Sequence, residues 1–174
     1  MSETPRIVIT GFMGAGKTTV ARELARALAS PFISLDEAVA EIERRGPRAL
    51  IDEEGEDYFR EAETRALRRA LADESARVID TGGGAWTLER NRRLVAEHGC
   101  LAVWLDAPFE LCWRRIESER GGEPRPLARE REAARRLFEE RLASYRLAPL
   151  RVRVTEGRSA AQLAARIVSA ASAK

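Results

Sequence analysis

A chain of 174 residues with 44% hydrophobic content fits one domain with a proper core, and the expectation is a single folding unit over residues 1–174. Thirty basic residues nearly cancel 28 acidic ones, and arginine is interleaved with glutamate, as in Arg129-Glu130-Arg131-Glu132, which speaks against nucleic-acid binding. No basic and apolar leader opens the chain and no apolar run approaches the ~20 residues of a membrane span, so a cytoplasmic protein without a membrane role is expected.

Ile7-Val8-Ile9 predicts a short buried strand, and Val20, Leu24 and Leu28 have the spacing of a helix that starts at Thr18. Between them, Gly11-Phe12-Met13-Gly14-Ala15-Gly16-Lys17-Thr18 reads G-x-x-x-x-G-K-T, the phosphate-binding P-loop. Only two of the thirty basic residues are lysines, Lys17 and Lys174, so a lysine at that motif position carries weight. Glycines there let backbone amides turn toward a polyphosphate, Lys17 reaches the β- and γ-phosphates, and the Thr18 hydroxyl suits Mg²⁺.

Pro31 to Asp36 reads as a second strand and Glu37 to Arg44 as a short helix, with a break at Gly46 and Pro47. Leu50-Ile51 and Glu56 to Leu71 look helical, the latter with Phe59, Ala62, Leu67 and Leu71 inward. Val78-Ile79-Asp80 is the third strand, closed by Thr81-Gly82-Gly83-Gly84. A helix from about Thr87 leads to Leu101–Leu105, the most apolar run and so a central or near-central strand. His98 falls at that helix end, which disfavours histidine acid–base chemistry, and Cys100 and Cys112 read as buried free thiols. Phe109 to Ser118 is helical, and the polar, glycine-hinged stretch Arg120 to Pro126 has the composition of a mobile lid, about 119–131. A helix from Glu130 to Tyr145, a strand Arg151–Val154 and a helix Ser159–Ala170 complete the chain. Strands alternating with helices imply a three-layer α/β/α sandwich on a five-stranded parallel sheet.

Gly11 to Thr19, Asp36, Phe59-Arg60, Thr81 to Gly84, Arg125-Pro126-Leu127, and Arg141 with Tyr145 together resemble the shikimate kinase family over nearly the whole chain. The resemblance implies an adenylate-kinase-like P-loop fold that transfers the ATP γ-phosphoryl group to the 3-hydroxyl of shikimate, with Mg²⁺; nothing in the sequence demands more than a monomer. It makes Lys17, Asp36 and Arg125 catalytic, and Gly14, Ala15, Gly16, Lys17, Thr18, Thr19, Arg115, Arg125 and Arg158 nucleotide-binding. Asp36, Arg60, Gly82, Gly83, Gly84 and Arg141 become the substrate residues, with Ile51 and Phe59 as an apolar wall. Read from the residues alone, Asp36 is as well placed to cap the following helix, Arg60 to pair with Glu56, Arg141 to pair with Glu140, and Arg125 to be a solvated loop residue.

The family usually carries D-x-D in the second strand, and here the first position is Ser34. Asp80 closes an apolar strand in the manner of other P-loop enzymes, so the metal candidates are Thr18 and Asp80, with hydrogen bonding to the glycine turn as the alternative for Asp80. A kinase of another hydroxy acid such as gluconate, or a catalytically weak nucleotide-binding regulator, are the rival readings.

Overall fold

The computed structural model describes residues 5–119 and 131–173. Its strands are β1 (Ile7–Thr10), β2 (Phe32–Ser34), β3 (Val78–Asp80), β4 (Leu101–Asp106) and β5 (Leu150–Arg153). Its helices are α1 (Lys17–Ala27), α2 (Leu35–Glu43), α3 (Pro47–Glu54), α4 (Glu56–Ala72), α5 (Glu89–Glu97), α6 (Phe109–Ser118), α7 (Arg131–Tyr145) and α8 (Ala160–Ser172), with a 3₁₀ turn at Ala85–Thr87. All ladders are parallel, in the order β2-β3-β1-β4-β5, as the alternating pattern predicts.

The order decides where a ligand can sit. Parallel strands are joined by right-handed crossovers, so a connection that moves one way along the sheet lies on the opposite face from one that moves the other way. The chain leaves β1 toward β2 through α1, but leaves β3 toward β4 through α5. The ends of β1 and β3, which are paired neighbours, therefore open a crevice at the carboxyl edge, the usual ligand site of such sheets. Every residue of β1 is buried because it lies between two strands and two helix layers, and β4 is nearly as apolar because it is the next strand across.

Several boundaries differ from expectation. β2 stops at Ser34 because the Ser34 hydroxyl accepts from the Glu37 amide at 3.4 Å, so Ser34 caps α2 and Asp36 stands in its first turn. Asp36 is thus neither a strand-end residue nor the helix cap. The expected break falls at Gly46, and Pro47 opens α3 at its first position, where a missing amide costs nothing. The stretch after Gly84 makes a 3₁₀ turn before α5 begins at Glu89, two residues later than expected. Cys112 is buried as expected, whereas Cys100 is only partly so. No described helix is long and apolar enough to cross a membrane.

Arg6, just before β1, closes the frame from below. Its guanidinium donates to the carbonyls of Ala70 and Leu71, two orphan C-terminal carbonyls of α4, and to those of Asp73 and Ala76 just beyond it, at 2.7–3.0 Å. Arg6→Ala is expected to lower unfolding free energy by about 2–3 kcal/mol, measured by denaturant titration with an unchanged m-value.

Candidate active site

The loop after β1 turns through glycines at positive φ: 147° at Gly11, 78° at Gly14 and 90° at Gly16. A methyl group on Gly14 would stand 2.5 Å from the Cys112 carbonyl, and one on Gly11 2.8 Å from that of Leu105. Glycine is needed there for space as well as for φ, and the close approach seats the loop on β4 and α6. Arg115 of α6 donates to the Gly14 carbonyl at 3.1 Å and holds it there. Beneath the loop, burial pushes the Cys112 thiol up to about 11, beyond the offset from Lys17, so it is unreactive.

Gly16 precedes α1, so the helix's unpaired first amides open toward the loop and favour an anion. Lys17, 8% exposed, lays its ammonium across the loop, donating to the Phe12 carbonyl at 3.1 Å. Gly14, Ala15, Gly16, Lys17, Thr18 and Thr19 line a cavity of about 340 Å³, with Arg115 and Arg158 among its other walls. Val154, Ala160 and Leu163 add an apolar patch. Cations and amides at one part and apolar surface at another suit a polyphosphate attached to a flat ring. Every nucleotide-side residue expected from the sequence lines this cavity except Arg125, which lies outside the described residues.

A second group of charged side chains converges on Gly82, Gly83 and Gly84. A methyl on Gly82 would meet Glu63 Oε1 at 2.9 Å and Asp36 Oδ1 at 3.0 Å; one on Gly83 would meet Arg141 Nη1 at 3.2 Å. One on Gly84 would run into the Arg60 guanidinium. Gly83 also faces the first loop, since the same methyl would lie 3.4 Å from the Gly11 carbonyl. Asp36 from α2, Arg60 and Glu63 from α4, and Arg141 from α7 thus gather around three residues without side chains, beside the P-loop. Phe59 is buried in the core with Arg60 lying 5.1 Å over its ring, and Ile51 packs partly buried against the same core.

Arg60 takes both of its helical options, pairing with Glu56 at 3.0 Å as expected and with Glu63 at 2.5 Å. Burial works against its charge, yet the two carboxylates outweigh that and raise its pKa. Glu63 is 1% exposed: burial raises its pKa, Arg60 pulls it down, and Asp36 adds repulsion. Glu63 was missed in the sequence. Its signal was an acid on the apolar stripe of α4, one place after Ala62 and three before Ala66, where a carboxylate needs a buried partner.

Tyr145, one turn beyond Arg141 on α7, donates from its hydroxyl to the Gly83 carbonyl at 2.6 Å and stacks on Trp104. Burial pushes its phenol up to about 12, so it stays a donor. Trp86 Nε1 donates to the Ser144 carbonyl at 2.9 Å, a second tie between the glycine turn and α7. Between the two loops, Thr18 Oγ1 donates to Asp80 Oδ2 at 2.6 Å.

The family model for shikimate kinase matches residues 13–172. A shikimate kinase of Cereibacter sphaeroides is 40% identical over 164 residues, 92% of this chain and 79% of its own length. The structure of shikimate kinase from Acinetobacter baumannii in complex with shikimate superposes with a TM-score of 0.88 at 31% identity, covering 97% of this chain and 93% of that one. A gluconokinase of Sinorhizobium meliloti reaches a TM-score of 0.67 at 20% identity over 98% of this chain and 93% of its own, a likeness of fold alone.

Tyr145→Phe keeps the ring stack but removes the donor to Gly83. It is expected to lower unfolding free energy by about 1–2 kcal/mol in chemical denaturation.

Proposed function

The chain belongs to the shikimate kinase family, an ATP-dependent kinase family, and from that premise we propose that its site transfers the γ-phosphoryl group of ATP to the 3-hydroxyl of shikimate. The observation that carries this reading is the gathering of Asp36, Arg60, Glu63 and Arg141 around Gly82–Gly84, next to the P-loop. Two guanidiniums from different helices suit one carboxylate on a small ring, since each presents a planar fork of donors. Gly82–Gly84 leave room for that ring where side chains would fill it.

In this reading the P-loop amides, Lys17 and the α1 N-terminus hold the β- and γ-phosphates, with Arg115 and Arg158 on the nucleoside side. Asp36 orients the acceptor hydroxyl and takes its proton as the oxygen attacks phosphorus. The new P–O bond forms as the bond from γ-phosphorus to the bridging oxygen breaks, and ADP leaves with Lys17 neutralising its charge. Arg60 is held ready by Glu63 before any ligand arrives, which lowers the ordering cost of gripping the acid. Thr18 would offer its hydroxyl oxygen to Mg²⁺, which takes few protein ligands, and Asp80, accepting from that hydroxyl at 2.6 Å, would orient it and add negative charge beside the ion. When bound, Mg²⁺ supplies charge neutralisation to the phosphates.

ADP release from Mg-ATP tests the reading. Shikimate should stimulate it strongly and gluconate should not; equal stimulation by gluconate, or by neither acid, would overturn the assignment. A second expectation concerns Gly84, whose φ of −101° any residue can adopt. Gly84→Ala should displace the Arg60 side chain, at a cost in stability because it disturbs the buried pair with Glu63. The shikimate KM should rise about 10- to 100-fold while the ATP KM stays put, as steady-state kinetics would reveal.

A further inference from the structure

Ser34 and Asp80 are register partners in the parallel pairing of β2 with β3. Residues so paired send their side chains to the same face of the sheet, at the same level under the P-loop. Of the two, only Asp80 carries a charge, and it is buried, 5% exposed, with its carboxylate accepting from the Thr18 hydroxyl at 2.6 Å. Ser34 uses its hydroxyl locally, to cap α2. The nearest acid along the chain, Asp36, is turned to Gly82 and the arginine cluster. Two carboxylates side by side at register positions repel each other, so one occupied position disfavours an acid at the other.

We infer that the metal-side acid of this kinase stands on β3 rather than β2: Asp80 is a positioning residue that orients the Thr18 hydroxyl and adds negative charge at the Mg²⁺ position, and positions 34 and 80 are interchangeable for that role. This rests on the nucleotide half of the function proposed above and not on the acceptor.

Calorimetric titration of the full chain with ADP, in the presence of Mg²⁺ and of EDTA, reads the role without turnover. In the wild type Mg²⁺ should increase ADP affinity. Asp80→Asn should cut that increase by about 10- to 100-fold and leave the affinity in EDTA unchanged. The double variant S34D/D80N should regain it, since aspartate caps a helix as well as serine does and α2 keeps its start. An undiminished Mg²⁺ effect in Asp80→Asn would overturn the inference, as would an equal loss with and without metal, which marks a merely structural role. A folded S34D/D80N protein without recovery would do the same. Failure of shikimate to stimulate the wild type would remove the acceptor assignment and leave this result standing.

Discussion

The pairing of β1 with β3 is the constraint on which the site depends. Ile9 faces Asp80 across this ladder, and the Ile9 carbonyl accepts from both the amide and the hydroxyl of Thr81, at 3.1 and 2.8 Å. That pair of hydrogen bonds brings the start of one glycine loop to the start of the other. Because the chains leaving β1 and β3 cross to opposite faces, neither helix covers the gap. A one-residue slip would turn Asp80 away from Thr18 and into the opposite layer.

Around that ladder the charges are arranged in linked pairs. Glu63 lies among the buried residues of α4, which apart from Thr64 are alanine, leucine and phenylalanine, a costly place for a carboxylate. Arg60 offsets the cost, and Glu63 in turn holds an arginine whose other neighbours are the more exposed Glu56, an aromatic ring and a glycine turn. Neither is well placed without the other. Such an arrangement stabilises the chain little and fixes geometry much, as expected of a site that must receive an anionic ligand already formed.

The glycine turn is held from several sides. Tyr145 and Trp86 join it to the last turn of α7, and Asn91 of α5 links the Ala85 carbonyl to Thr64 of α4. The helices that carry Arg141 and Arg60 are therefore tied to the turn those arginines face. Backbone carbonyls in the turn are satisfied by rigid aromatic and amide donors, which leaves its open face free of side chains.

The P-loop and the order of strands and helices were legible in the sequence because each rests on residues within a turn or two of one another, whereas the arginine and glycine motifs were legible only through their joint order and spacing along the chain. Hydrophobic periodicity and glycine spacing report local backbone geometry directly. Which strands lie side by side is not local information, and so neither the contact of Thr18 with Asp80, 62 positions away, nor the register of Ser34 with Asp80 could be read from it. The same holds for Glu63, visible as an acid on an apolar stripe but without a stated partner, and for Ser34, whose capping of α2 displaced Asp36 from the strand end. The sequence by itself determined that a nucleotide loop exists and what flanks it. Tertiary structure decided which charges meet, because their encounter depends on strand register and crossover handedness, set by burial of the whole sheet rather than by any single segment.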